Sequence, residues 1–379
     1  MLFFFMYLVI YGMMNAYVLH KFVAAFGGGR GCFLLGACTI GLILFLPLVL
    51  HRFDDQLPQS GLRVLSLATF CWMGAVFWFD CAFLFFDVWR LGTVLGRTGG
   101  SVGIWLPTGA QQVGWAVAFI AGAATWGYFE AGAVRLRTVT VLSDKLNVGA
   151  PPIRLVQIAD LHVGRTSRQD ITEVVFARIA EASPDILVST GDLIDGLGSE
   201  TDETMARFGA LQPPLGKFAV CGNHEAYPGL AGTLKCHRDA GFTVLRNETR
   251  EVSPHVRIAG VDDPALAEIR KDPKVDEAAV LRSVGAGAFT VLLKHRPHVT
   301  EAARERCDLQ LSGHTHQGQL FPFSAIVRLL YPFPHGRLVK LSHGAGLYVS
   351  PGSGSWGPPI RFLARPEVTL FLICGARST

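Results

Sequence analysis

Charge is scarce at the start of this chain. Residues 1–129 hold only ten of its 64 charged side chains, and the other 54 fall in residues 130–379. Over all 379 residues, 17% are charged and 50% are hydrophobic, whereas an ordinary soluble domain is about a quarter charged. A disordered chain or a uniformly charged soluble protein is therefore excluded. Lysine and arginine never form a run, and the net charge of +4 is scattered, which argues against a nucleic-acid partner. The eight cysteines include no CxxC pair, so neither a disulfide framework nor a cysteine zinc site is expected. The first apolar segment lacks a basic leader and a small-residue cleavage site, and so does not read as a signal peptide.

What the first third does contain is apolar length. Residues 2–19, 32–50, 64–86 and 113–129 are each long and apolar enough to be read as membrane-crossing helices. Aromatic residues sit near several of their ends, as at a lipid–water boundary. The expected organisation is a four-helix transmembrane region over 1–130, a connector with a first strand over 131–149, and a catalytic domain over 150–379. Four crossings put both termini on one side. Arg52, Arg63, Arg135, Arg137 and Lys145 lie on that side, against Lys21, Arg30, Arg90 and Arg97 opposite. The balance points to a multi-pass cell-membrane protein with a cytoplasmic catalytic domain. Asp80 interrupts the third segment. With no other acid or base inside the spans, it is expected where the helix emerges near Phe79, or paired within the bundle, rather than on an ion path.

After Glu130 the pattern changes period. Residues 135–142 alternate like a half-buried strand. Residues 153–159, 185–189, 218–221, 289–293 and 309–311 are short apolar runs, with Val349 and residues 368–373 in two closing strands. A helix is expected after His162, capped by Ser167 or Asp170, with Ile171, Val174, Val175 and Ile179 as its apolar stripe. Five of the strands end within a few residues of His, Asp or Asn. In α/β sheets the carboxyl ends of strands form the ligand crevice, so this repetition builds one site from distant parts of the chain.

The residues placed there are metal ligands. Asp160 and His162, one residue apart, can point the same way. Asp192 adds a carboxylate able to bridge two cations, Asn223 adds an amide oxygen, and His295, His314 and His316 add imidazoles. Mixed nitrogen and oxygen ligands suit Mn, Fe or Zn better than Ca or Mg. Seven such groups suffice for two metals, which clamp the attacking and leaving oxygens of a phosphoryl displacement and lower the pKa of a shared water. His224, beside a ligand, is a candidate to protonate the leaving oxygen. His237, His255, His298, His335 and His343 read as surface or structural histidines, and Asp195 as loop support.

DLH at 160–162, GDLID at 191–195, GNHE at 222–225, His295 before Arg296-Pro297, and GHTH at 313–316 together resemble the ordered signature of the calcineurin-like metallophosphoesterases. The resemblance covers about residues 150–375. It implies a four-layer αββα sandwich, two mixed sheets face to face with helices outside, and a dinuclear centre. By that resemblance Asp160, His162 and His316 hold one metal, and Asn223, His295 and His314 the other. Asp192 lies between them, and His224 matches the catalytic histidine. The tail at 347–368 is similar to a branch whose members often carry N-terminal membrane segments. Some relatives in that branch cleave UDP-diacylglucosamine in lipid A synthesis.

Residues 320–333 (LFPFSAIVRLLYPF) follow GHTH directly and are strongly apolar. They are either packed into the domain core or against the transmembrane bundle, or exposed as a lip that receives acyl chains. The expected function is a membrane-bound hydrolase with two divalent ions, cleaving a phosphoester or pyrophosphate bond in a lipid-linked substrate such as UDP-diacylglucosamine. The alternatives are a tethered phosphodiesterase or phosphatase of soluble substrates, and a non-enzymatic signalling or transport module.

Overall fold

The structure, a computed structural model, describes residues 2–52, 59–96, 105–270, 275–284 and 287–376. The chain divides into two compact units, Met1–Trp126 and Gly127–Thr379.

The first unit is helical. α1 (Leu2–Phe26), α2 (Arg30–Arg52), α3 (Gln59–Gly96) and the greater part of α4 (Gly109–Gly132) occupy the four apolar stretches. Tyr11, Val18, Val76, Phe79, Phe83, Phe86 and Val113 form its core. Among the described residues, two segments are long and apolar enough to cross a bilayer by length and composition, Phe5–Phe26 and Ser60–Gly96. Asp80 departs from expectation. α3 runs on to Gly96, and the pairing within the bundle is not seen, since neither carboxylate oxygen of Asp80 has a hydrogen-bond partner among the described residues. Asp87, two turns further along, takes the polar contacts instead. It pairs with Lys21 and accepts from the Tyr17 hydroxyl at 2.5 Å.

The second unit has two six-stranded sheets. The first runs β1 (Arg135–Ser143), β12 (Glu367–Gly375), β2 (Ile153–Ile158), β3 (Ile186–Ser189), β4 (Lys217–Ala219), β5 (Phe242–Val244) in spatial order. The second runs β10 (Leu338–Lys340), β11 (Gly346–Val349), β9 (Leu309–Ser312), β8 (Phe289–Lys294), β7 (Val256–Val261), β6 (Glu248–Ser253). Both are mixed. β12 meets β2 antiparallel while β2, β3, β4 and β5 are parallel, and β11, β9, β8 and β7 are parallel between antiparallel edges. The central strands are β-branched and leucine-rich because both of their faces are buried. β1 is more than a connector: it pairs with β12 in parallel over nine residues.

Leu155, Ile186 and Val188 of the first sheet share a core with Ile258, Val291, Leu293 and Leu311 of the second. α5 (Gln169–Ala182) and α6 (Ser199–Ala210) cover the outer side of the first sheet through Val175, Ile179 and Phe208. α9 (Glu277–Arg282) and α10 (Glu301–Arg306) cover the second through Leu281 and Ala303. The remaining helices of this unit are α7 (Leu230–Asp239), α8 (Pro264–Arg270) and α11 (Phe323–Leu330).

α5 has the expected apolar stripe but not the expected cap. Arg168 occupies the N-cap position without a side-chain cap bond. The Ser167 hydroxyl turns back to the Gly164 carbonyl, and the Asp170 carboxylate is held by Arg168.

Phe371 is fully buried between the sheets, its ring 5.0 Å from that of Tyr348. Replacing it by alanine is expected to cost about 3–5 kcal/mol, read as a lower unfolding temperature of the purified full-length chain.

Candidate metal centre

Each expected site residue lies just past the carboxyl end of a strand. Asp160 and His162 follow β2, Asp192 follows β3, and Asn223 and His224 follow β4. His295 follows β8, and His314 and His316 follow β9. Because β2–β3–β4 and β8–β9 are parallel neighbours, these ends open on one side, and the two sheets bring them together.

The side chains converge closely. His162 Nε2 and His316 Nε2 are 2.9 Å apart, and His295 Nε2 is 3.1 Å from both His314 Nδ1 and Asp192 Oδ2. Three overlapping groups could each hold a cation: Asp160 with His162 and His316, His162 with Asp192 and His224, and Asp192 with His295 and His314. Asp192 belongs to two of them.

Chain geometry is strained to achieve this. Asp160, His162, Asp192, His314 and His316 all have left-handed backbones, with φ between 47° and 70°. Such a conformation costs a non-glycine residue about 1–2 kcal/mol, and clusters of such residues mark functional sites. Glycines provide the room. A Cβ on Gly222 would stand 2.1 Å from Asp192 Oδ1, and one on Gly313 would stand 2.3 Å from Asp160 Oδ2.

Backbone amides and other side chains fix the set. The His314 N–H donates to Asp160 Oδ1 at 2.8 Å, and the His224 N–H to Asp192 Oδ1 at 2.9 Å. His295 Nδ1 donates to the Thr190 carbonyl at 2.9 Å, which turns Nε2 toward Asp192. Asp195, expected only to support its loop, instead orients two rings. Its Oδ1 lies 2.8 Å from His162 Nδ1 and 2.5 Å from His224 Nδ1. Glu225 is fully buried and accepts from the N–H groups of Asp192, Leu193, Ile194 and Gly222. It clips the β3 and β4 loops together.

Burial and charge set the protonation states. Burial raises the Asp160 carboxyl to about 6, with His295 opposing the rise and Asp192 adding to it. Burial would also raise Asp192, but His295, His224 and His162 together hold it well below the usual carboxylate range. Burial works against charge on His295 and His224, yet Asp192 and its neighbours raise them to about 10 and about 9. His314 falls to about 2 through burial and the adjacent His295.

These residues fit divalent cations. Asp160 Oδ2 and Asn223 Oδ1 are buried and have no hydrogen-bond partner, and a buried unpaired acceptor is costly. The raised histidines likewise show a pocket that favours positive charge. Asn223 Nδ2 donates to the Tyr227 hydroxyl at 3.4 Å, leaving its oxygen as the available ligand atom.

One participant was not singled out in the sequence. Arg361, fully buried, donates to the carbonyls of Gly354, Pro351 and Ala364 at 2.7–2.9 Å, and its Nη2 lies 3.0 Å from His316 Nδ1. Two histidines read as structural border the site: His335 contacts the Thr315 hydroxyl at 2.7 Å, and His298 lies against Tyr331. His237 is buried against the Thr233 carbonyl, and His343 is exposed beside Glu301.

Two face-to-face mixed sheets with carboxylates and imidazoles gathered at their strand ends define a metal-dependent hydrolase of phosphoesters. The calcineurin-like phosphoesterase profile matches residues 153–318. The chain is 39% identical over 260 residues to an uncharacterised metallophosphoesterase of Aquifex aeolicus, covering 68% of this chain and 98% of that protein. It is 31% identical over 280 residues to another from Bacillus subtilis, covering 68% and 93%. A transmembrane protein with a metallophosphoesterase domain from Danio rerio is 30% identical over 343 residues, covering 86% of this chain and 78% of its own length. That alignment takes in more than residues 127–379 can supply. The chain belongs to the calcineurin-like metallophosphoesterases, enzymes that use two divalent metal ions.

Asp192→Ala is expected to abolish hydrolysis and lower the metal content measured by mass spectrometry. Ligand nitrogens must be unprotonated to bind metal, and His295 holds its proton up to about pH 10. Metal uptake at pH 7 should therefore release protons, and affinity should fall as pH is lowered. Calorimetric titrations in buffers of different ionisation enthalpy check both.

Proposed function

We propose that this metallophosphoesterase is anchored in a membrane and cleaves a phosphoester or pyrophosphate bond in a lipid-linked substrate, UDP-diacylglucosamine being the example that fits. In this reading Asp160, His162 and His316 hold one cation, Asn223, His295 and His314 the other, and Asp192 both. The bound cations would supply hydroxide at neutral pH and charge to balance the phosphoryl oxygens. Asp195 holds His224 by Nδ1, which leaves Nε2 to pass a proton to the departing oxygen. Asp192 and Asp195 raise that imidazole to about 9 in the metal-free site, and its hydrogen bond to Asp195 favours the protonated form.

The observation that carries the substrate class is α11. The apolar stretch after GHTH is a surface helix and not part of the core: Val327 is buried, while Phe323, Ile326, Leu329 and Leu330 are exposed, Leu329 by 84%. Tyr331, next along the chain, lies with its ring 5.7 Å from that of His314. Exposed apolar helices of this kind seat at lipid interfaces or receive acyl chains. Four apolar helices, the outward side chains of Leu35, Leu42 and Leu84, and the relative named as a transmembrane protein support a multi-pass anchor. The loop charges support a cytoplasmic catalytic domain. Cleavage of soluble phosphodiesters by a tethered domain is the second reading, since the centre itself acts on the phosphoryl group alone.

Purified full-length enzyme in mixed micelles with Mn should hydrolyse UDP-diacylglucosamine far faster than UDP-N-acetylglucosamine. Replacing Ile326, Leu329 and Leu330 by serine should raise KM for the lipid about tenfold or more and leave hydrolysis of bis-p-nitrophenyl phosphate within twofold. Equal effects on both substrates would favour the second reading. His224→Ala should keep its metal and lose about 10²–10⁴-fold in kcat, and a metal-free variant would reassign His224 to ligation.

A further inference from the structure

Two aromatic rings stand beside His224, and the chemistry derived so far uses only the hydroxyl of one, the Tyr227 oxygen that meets Asn223. Tyr227, at the end of the short turn that begins with His224, has its ring centre 5.0 Å from the imidazole at an interplanar angle of 78°. Trp356, from the loop between β11 and β12, lies 5.7 Å away at 69°. The rings come from separate segments and meet the same histidine edge to face.

Neither is placed there by the core. Tyr227 is 56% exposed and Trp356 is 41% exposed. Trp356 is nevertheless held at this position. Its backbone N–H donates to Gln319 Oε1 at 3.0 Å, and its backbone carbonyl accepts from Gln319 Nε2 at 2.8 Å. Gln319 ends the turn that begins with His316, so the loop bearing Trp356 is pinned to the loop bearing site residues. Aromatic rings left open on an anchored loop are typical of ligand contacts, where they offer a large face at little entropic cost.

We propose that Tyr227 and Trp356 form a subsite for a ring on the leaving group, a sugar or a base joined to the phosphorus through the departing oxygen. The assignment rests on the reading of His224 as the acid for that oxygen. In the hydrolysis, the oxygen of water forms the new bond to phosphorus, the bond from phosphorus to the leaving oxygen breaks, and His224 gives that oxygen its proton. The group attached to that oxygen then lies nearest the residues that flank His224, which are these two rings. Stacking of a sugar or base face on them would select substrates by their leaving group.

The test compares two non-hydrolysable phosphonates that differ only in a ring, phenylphosphonate and methylphosphonate, by calorimetry on the metal-loaded full-length enzyme. The wild type should bind phenylphosphonate at least tenfold more tightly. Trp356→Ala and Tyr227→Ala should each cut that preference to about threefold or less while methylphosphonate still binds, and Trp356→Phe should restore most of it. Tyr227→Phe keeps the ring and removes the hydroxyl near Asn223, so it should retain the preference. Equal affinities in the wild type, or a preference that survives both alanine variants, would overturn the subsite and leave the metal centre standing. If neither phosphonate binds the wild type, the phosphoesterase reading of the centre fails with it.

Discussion

Asp160 and Asp192 are carboxylates with essentially no exposure to water, and a buried charge is costly unless it is compensated. The compensation comes from two directions. Among the candidate ligands, the first sheet carries every oxygen donor, Asp160, Asp192 and Asn223, together with the imidazole of His162, whereas the second sheet carries only imidazoles, His295, His314 and His316. The first sheet by itself gathers one group able to hold a cation, His162 with Asp192 and His224, but the other two groups, Asp160 with His162 and His316 and Asp192 with His295 and His314, need both sheets. The apolar core between them, with Leu155 and Ile186 facing Val291 and Leu311, is thus the element on which the chemistry rests. Packing that would look purely structural sets the separation between anion and base.

Local backbone energetics follow from the same requirement. Five ligand candidates adopt left-handed conformations, an unfavourable state that persists only where the surroundings over-determine it. Glu225 provides part of that determination by collecting four N–H groups of the β3 and β4 loops. Arg361 provides another part by holding three carbonyls of the closing loop next to His316. Both are charged groups at full burial, and each is satisfied by backbone rather than by an opposite charge.

How much of this was legible in the sequence depends on the range of the interaction. Strand ends were readable because a fully buried parallel strand must be continuously apolar, and a polar ligand breaks that run at a definite point, as at Ser189 before Asp192. The site residues were readable for the same reason. β5, β6, β7 and β10 were not: Phe242–Val244, Glu248–Ser253 and Leu338–Lys340 lie at sheet edges without a clean pattern, whereas β7 is an interior, buried strand with none of the candidate ligands at its end to mark it. The cap of α5 failed because Ser167 found a nearer carbonyl. Asp195 and Arg361 were underestimated because their partners lie up to 45 residues away, and no local spacing encodes that. For Asp80 the expected partner within the bundle is missing among the described residues: a neighbour across a helix bundle is not encoded in local sequence.

The apolar surface around the centre follows from these constraints. Once the loops after β9 are committed to presenting His314 and His316, the chain beyond them is held near the metals whatever its composition. A polar loop would satisfy solvent there at no cost. Instead the chain continues as α11, with a row of exposed or half-exposed Phe, Ile and Leu side chains, each forfeiting part of the roughly 1.5–3 kcal/mol that full burial would give. Soluble proteins rarely leave such patches open without a partner. Trp356 and Tyr227 are likewise exposed, at His224, whereas α11 leads into Tyr331 at His314. The surroundings of the centre are therefore differentiated: aliphatic side chains along α11, and flat aromatic rings beside the histidine assigned to the leaving oxygen. On the proposed reading, a substrate with acyl chains and a ring separated by a phosphate would occupy both parts, whereas a small soluble phosphodiester would leave the aliphatic part without an occupant.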